Sequence, residues 1–238
     1  MRTLILTSLI IVTSLTGFGQ GRYFTRASSQ GYRTSTAPVT FYPITLAAWV
    51  KCNSFSGNGT AISICHTTSG NRTQLLFQNT GTFQTQSGPG ALYGPTAATV
   101  STGVWYHVLA TVTIAGSTIT IAQYTNGVAT GVAGSGTDSG TAPLWNTLAV
   151  GERHNGTSWG TYWDGDIYDA CVWSAALDSN EIKSLASGCS PAMIRPASLV
   201  GWMRLGERTI EKAGGLALTM DGSPTISNSG PPKLWGLR

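Results

Sequence analysis

Charge is what this sequence has least of. Only 10% of its 238 residues are Asp, Glu, Lys or Arg, against about 25% in an ordinary soluble domain. The formal balance of +4 is spread along the chain without a Lys/Arg run. Electrostatic recognition of nucleic acid needs a clustered basic face, so nucleic acid is set aside as a partner. Long apolar runs are missing as well. The longest, Leu4 to Leu15, falls short of the ~20 residues that span a bilayer, which excludes a membrane span. There are 4 cysteines and 3 histidines. No cysteine pair has C-x-x-C spacing and no H-E-x-x-H occurs, so the common zinc signatures are absent.

What is abundant is glycine, 30 residues, with frequent Ser and Thr. That mixture suits many short strands joined by tight turns. In "VWYHVLATVTI" the residues Val104, Tyr106, Val108, Ala110, Val112 and Ile114 alternate onto one face, the period of a half-buried strand. Gly116 and Ser117 turn the chain into "TITIAQY", and Asn126-Gly127 marks another tight hairpin. "ITLAAWVKC" and "TAISICH" form a strand pair across the loop 53–59. Further strands are expected near 22–27, 73–78, 97–101, 146–152, 165–174, 198–205 and 215–220. One helix stands out in "LDSNEIKSLASG". Asp178 caps it, Glu181 stands at capping-box spacing, Ile182, Leu185 and Ala186 share a face, and Gly188 ends it. A single short helix among more than ten strands predicts an all-β sandwich.

The first residues, "MRTLILTSLIIVTSLTGFGQ", have the layout of a signal peptide: Arg2, an apolar run, then small Gly17 and Gly19. Residues 1–19 are therefore expected to direct export, with 20–238 as one mature domain. The alternative is a buried first strand in a protein that stays inside the cell. In an exported chain Cys52 with Cys65 and Cys171 with Cys189 could form disulfides, and a domain this large can equally bury them as free thiols.

"ITLAAWVK", "GVWYHVLATV", "YTNG", "LAVG" and "WDGDIYDACVWSAALDSNEI" occur in this order with suitable gaps. Together they resemble the laminin-G-like, concanavalin A-like family over roughly residues 40–188. The resemblance implies a two-sheet jelly-roll sandwich with one short helix, His107 in a structural Trp-x-His-Val position, and ligand contact through rim loops. Residues 198–226 resemble the family's opening strands but lie at the end, so the chain reads as circularly permuted, with 198–205 and 215–220 expected to pair with central strands and close the domain, and Trp202 and Leu218 expected to be buried. "RYFTRASSQ" and "SPAMIRPASLVGW" also resemble LamG-type proteins of bacteriophage and metagenomic origin, which brings in a virion role and other virion proteins as partners.

Asp164, Asp166 and Asp169 share the i, i+2, i+5 spacing of the Glu-x-Asp-x-x-Glu found in laminarinase-type relatives. Glycoside hydrolysis needs two carboxyl groups ~5–5.5 Å or ~6.5–9.5 Å apart. On a regular strand i and i+5 face opposite sides, so a bulge would be required. The resemblance accounts for these residues without catalysis: Gly165 turns into the strand, Ile167 enters the core, and Asp169 takes a customary acidic position. They are expected to be scaffold, and the protein is expected not to be an enzyme.

For binding, the richest loop is "ERHNGTSWGTYW". Trp159 and Tyr162 offer aromatic faces to a sugar ring, while Arg153, His154 and Asn155 offer hydrogen bonds. At least one of the two rings is expected to be substantially exposed. Tyr93 in "GPGALYG" is a second candidate, and Trp163 is expected in the core. No cofactor is required; calcium stays open because several members of the superfamily bind it, with Asp164 and Asp166 as candidate ligands. The expected function is recognition of a carbohydrate or cell-surface glycan outside the cell. A virion component is the second reading and a glycoside hydrolase the third.

Overall fold

The computed structural model describes residues 20–88, 92–94, 99–130, 134–137, 145–206 and 215–231, with the backbone alone at 92–93 and 134–137. The leader expected over 1–19 lies outside these residues, as do 97 and 98 of the strand expected at 97–101; Thr99 makes an isolated bridge to Thr82.

Two large antiparallel sheets face each other. The first runs in the order Val128–Ala129, Thr118–Thr125, Trp105–Ala115, Ile44–Cys52, Gly165–Trp173, Gly21–Phe24 and Thr225–Ser227. Leu199–Met203 joins the far half of Gly165–Trp173, end to end with Gly21–Phe24. The second runs Leu218–Asp221, Gly31–Thr34, Thr147–Val150, Gly59–Cys65, Arg72–Phe77, Phe83–Gly88 and Leu92–Tyr93. This is the all-β sandwich that the alternating pattern and the family resemblance predict.

The alternation explains the core. Ile44, Leu46, Ala48 and Val50 from the first sheet meet Ile62, Ile64, Leu75, Phe77 and Phe83 from the second. The opposite face of the first sheet carries Ala47, Leu109, Cys171 and Trp173, which are covered by Leu177, Ile182 and Leu185 around the helix Ser179–Ala186. Both arms of the capping box form. The Asp178 carboxylate accepts from the Asn180 and Glu181 N–H groups, and Glu181 Oε2 accepts from the Asp178 N–H at 2.7 Å. Asn126 and Gly127 both adopt positive φ, 51° and 78°, as a tight hairpin turn demands.

Strand Gly165–Trp173 contains the bulge that a regular strand lacks. Its register with Ile44–Cys52 shifts between Tyr168 and Cys171, and Asp169 sits there with φ 47°. An extra residue flips the parity of a strand. Ile167 before the bulge and Val172 after it, five positions apart, therefore both reach the main core. Gly165 is required for close approach, because a Cβ there would lie 2.1 Å from the Lys51 carbonyl oxygen.

The C-terminal expectations are corrected in part. Leu199–Met203 pairs with a central strand, but Leu218–Asp221 pairs with Gly31–Thr34 at a sheet edge. Trp202 and Leu218 are half-buried, and the side chains that enter the main core from this region are Met203 and Leu205. Trp202 points to the helix side, where its Nε1 donates to Asp169 Oδ1 at 2.8 Å. Leu218 has a neighbouring strand on one side only, which limits its cover. The four cysteines are free thiols; Cys52, Cys65 and Cys171 are buried, and burial pushes the Cys52 thiol up to about 11.

His107 lies under Trp49, with ring centroids 5.2 Å apart, and burial lowers its pKa to about 3. Its folded pKa is thus depressed below an unfolded value near 6.5. Stability from the neutral ring is fully present above pH 6.5 and is lost as pH falls toward 3. Urea unfolding at pH 7 and pH 4.5 should show this loss, and His107→Gln should flatten the slope. Equal slopes in the two proteins would contradict it.

Candidate binding site

The "ERHNGTSWGTYW" segment is a hairpin rather than an open loop. Arg153–His154 pairs with Trp159–Gly160, and Asn155 closes the turn. Asn155 Oδ1 accepts from the Thr157 and Ser158 N–H groups at 2.9 and 2.8 Å. The turn packs on the loop before strand Arg72–Phe77, so closely that a Cβ on Gly70 would meet the Asn155 carbonyl oxygen at 2.6 Å. Residues 156–160 spell G-x-S-x-G, a pattern that sequence reasoning passed over. A nucleophile elbow requires a strand-to-helix turn, and here Ser158 caps a β-hairpin, so no elbow is formed.

Beneath the hairpin lies the outer face of the second sheet. Directly paired positions place Arg33, Ala149, Ser63, Gln74 and Gln86 in one row across five strands. Ser63, Gln74 and Gln86 are buried and polar, and each is hydrogen-bonded. Ser63 Oγ donates to the Glu152 carbonyl at 2.8 Å, Thr60 Oγ1 donates to Gln74 Oε1 at 3.0 Å, and Gln74 donates to Gln86. Satisfied buried groups of this kind fix a rigid floor.

At one end of that row stands the group that organises the rim. The Glu152 side chain is fully buried, and its two oxygens accept from Arg33 Nε and Nη2, each at 2.8 Å. Arg33 Nη2 also pairs with Asp221 on the edge strand Leu218–Asp221. Gly31 leaves the space for this carboxylate, since a Cβ there would sit 2.2 Å from Glu152 Oε1. Burial pushes the Glu152 pKa up, and the Arg33 guanidinium pulls it back. Held in this fork, Arg33 lies over Trp159 with Cζ 4.0 Å from the ring centroid. His154 meets the same ring at nearly a right angle, centroids 4.9 Å apart.

The expected site residues therefore separate. Trp159 and Tyr162 are both half-buried, so the expectation of a substantially exposed ring is not met. The reason is Arg33, which covers one face of Trp159. His154 is buried, with Nδ1 accepting from the Gly156 N–H at 3.0 Å. Its pKa is lowered by burial and then by Arg33 and Arg153, so the ring is neutral at pH 7. Asn155 is exposed and Arg153 half-buried. The Tyr162 backbone carbonyl accepts from Arg26 Nε at 2.9 Å. Trp163 is in the core against Phe77, as expected. The Tyr93 side chain lies outside the described residues. Arg33, Glu152 and Asp221 were missed; of the three, only Glu152 lies within the segment that composition singled out, where it opens the hairpin.

The aspartates are elsewhere. Asp166 is buried on the first sheet, with Oδ2 2.8 Å from Lys51 Nζ on the neighbouring strand. Asp169 holds Trp202, and the Asp164 carbonyl accepts from the Asn53 N–H at 2.9 Å. Among the described residues no three His, Cys, Asp or Glu side chains group to hold a metal ion. No helix among them is long and apolar enough to cross a membrane.

Residues 26–183 match the profile of the concanavalin A-like lectin/glucanases superfamily, so the chain belongs to that superfamily. No curated protein sequence matches the chain. Solved structures share the fold. A heptameric SAP-like pentraxin from Limulus polyphemus is 17% identical with a TM-score of 0.61, over 94% of this chain and 100% of its own. A putative carbohydrate binding protein from Bacteroides ovatus is 19% identical with a TM-score of 0.64, over 91% of this chain and 61% of its own. The CBM40 of Ruminococcus gnavus IT-sialidase, bound to α2,3 sialyllactose, is 14% identical with a TM-score of 0.52, over 70% of this chain and 97% of its own.

Removing Arg33 should cost far more than removing an exposed side chain. Arg33→Ala leaves the buried Glu152 carboxylate without its partner, a change that typically costs about 3–5 kcal/mol. Thr219→Ala, on an exposed position of the edge strand, should stay within about 0.5 kcal/mol. Chemical denaturation of both variants checks this, and similar losses would show that the fork is dispensable.

Proposed function

We propose that this domain is a non-catalytic carbohydrate-binding module whose site is the hairpin rim at Arg33 and Trp159. One observation carries the reading: a guanidinium fixed by two carboxylates and laid on an indole, beside exposed Asn155 and half-buried Tyr162. Ordered polar groups next to aromatic surface are what a sugar site needs. Relatives of the same fold described as carbohydrate-binding support it. Against catalysis stands the use of Asp166 and Asp169 as structural partners of Lys51 and Trp202. The signal-like residues 1–19 would place such a module outside the cell. The permuted chain order is part of the same proposal, because the C-terminal strands pair with Gly31–Thr34 and Gly21–Phe24 near the start.

A glycan array probed with multivalently displayed protein tests the function. Aromatic contact adds ~0.5–1.5 kcal/mol beyond buried area, so single-site binding should be weak and display important. Wild type should bind a subset of glycans, and Trp159→Ala should bind them roughly two- to tenfold less well. Equal binding by both would move the site away from the rim. Binding by neither would turn the account toward the virion role.

A further inference from the structure

We propose that Arg33 is the residue through which the rim contacts its sugar, and that the carboxylates holding it select neutral glycans over acidic ones. This rests on the carbohydrate-binding reading and names the ligand class that the site would take.

The geometry leaves one end of the guanidinium available. Nε and Nη2 are engaged by Glu152 and Asp221, while Nη1 and its two N–H groups make no hydrogen bond among the described residues. The Arg33 side chain keeps 24% of its surface exposed. An arginine loses a great deal of side-chain freedom when it binds a ligand, and here that freedom is already gone. The bidentate fork fixes the plane, Trp159 supports it from one face, and Gly31 admits the carboxylate that does the fixing. Two fixed donors on one nitrogen suit hydroxyl or ring oxygens.

Charge decides which ligand can use them. Arg33 contributes one positive charge, and Glu152 and Asp221 contribute two negative ones on the same guanidinium. Arg153 in the hairpin adds one positive charge, and His154 adds none at neutral pH. Arg26, on the Tyr162 carbonyl, adds another, and Asp164, which lies with Arg26 around Cys52, offsets it, so the rim sums to zero. Arg72 is outside the row, paired with Cys65, and its guanidinium turns to Gln86 and the Gly70 carbonyl; its strand is three away from that of Arg33, roughly 14 Å at ~4.8 Å per strand. At that distance, beyond the Debye length of ~8 Å, its charge is largely screened. Asp221, with 40% of its side chain exposed, stands at the mouth. A sugar carboxylate approaching Nη1 would meet Asp221 across the same guanidinium and would have to shed its own water without a net positive field. A neutral hydroxyl meets neither cost. Like charge placed against the wrong ligand is an established route to specificity.

The test is an array of matched neutral and acidic glycans, including lactose with α2,3-sialyllactose and arabinan oligosaccharides with oligogalacturonides. It is probed with wild type, Asp221→Asn, Arg33→Lys and Trp159→Ala, after thermal melts confirm that each is folded. Wild type should bind neutral members in preference to their acidic counterparts. Asp221→Asn removes the exposed charge and should raise the acidic-to-neutral ratio roughly two- to fivefold. Arg33→Lys keeps the charge but loses the planar fork, and should lower binding to all members. Preference of wild type for acidic glycans, or an unchanged ratio in Asp221→Asn, would overturn the selectivity while leaving the sugar-binding reading intact. Undiminished binding by Arg33→Lys would remove Arg33 from the contact. Binding of no glycan by any variant would defeat the functional reading and this inference together.

Discussion

The Glu152 carboxylate has no exposed surface, and the arrangement of the rim follows from the need to keep it paired. A buried charge without a partner is among the most expensive features a domain can carry. Here the partner is a guanidinium with the right fork, on the neighbouring strand Gly31–Thr34, and a glycine two residues earlier makes the space. The same guanidinium draws in Asp221, which ties the edge strand Leu218–Asp221 to the sheet. It also lies on Trp159, which fixes the outer arm of the hairpin. One desolvated carboxylate thus connects an edge strand, the strand beside it, a hairpin and an aromatic ring.

The first sheet is governed by a different constraint. Its central strand must serve two cores, one between the sheets and one under the helix. The bulge at Asp169 allows this by changing which residues face inward halfway along the strand. The aspartates that flank it are then accounted for as structure: one neutralises Lys51, another accepts from Trp202. Spacing alone made them look like a hydrolase triad, and their partners give them other work.

Much of the fold was legible in the sequence because it is written in local alternation. Strands Ile44–Cys52, Trp105–Ala115 and Thr118–Thr125 follow from period-two patterns, and the helix follows from its capping box. Strands Gly31–Thr34 and Phe83–Gly88 were missed for a physical reason. Their sequences, GYRT and FQTQSG, present little apolar alternation, because their outer faces carry a half-buried arginine and a buried glutamine among polar neighbours. The site was half legible. Hairpin residues Trp159, Asn155 and Arg153 announced themselves by composition and proximity in the chain. Arg33 and Asp221 did not, since they stand 119 and 69 positions from Glu152 in sequence and meet it only through sheet pairing. A buried ion pair across strands leaves no local pattern.

The direct test is a crystal structure of the domain soaked with a neutral oligosaccharide. The account predicts a sugar oxygen within hydrogen-bonding distance of Arg33 Nη1, with the Glu152 and Asp221 contacts and the Trp159 stacking unchanged. A sugar bound away from the hairpin, or one that displaces Arg33 from Trp159 to stack on the ring itself, would contradict it.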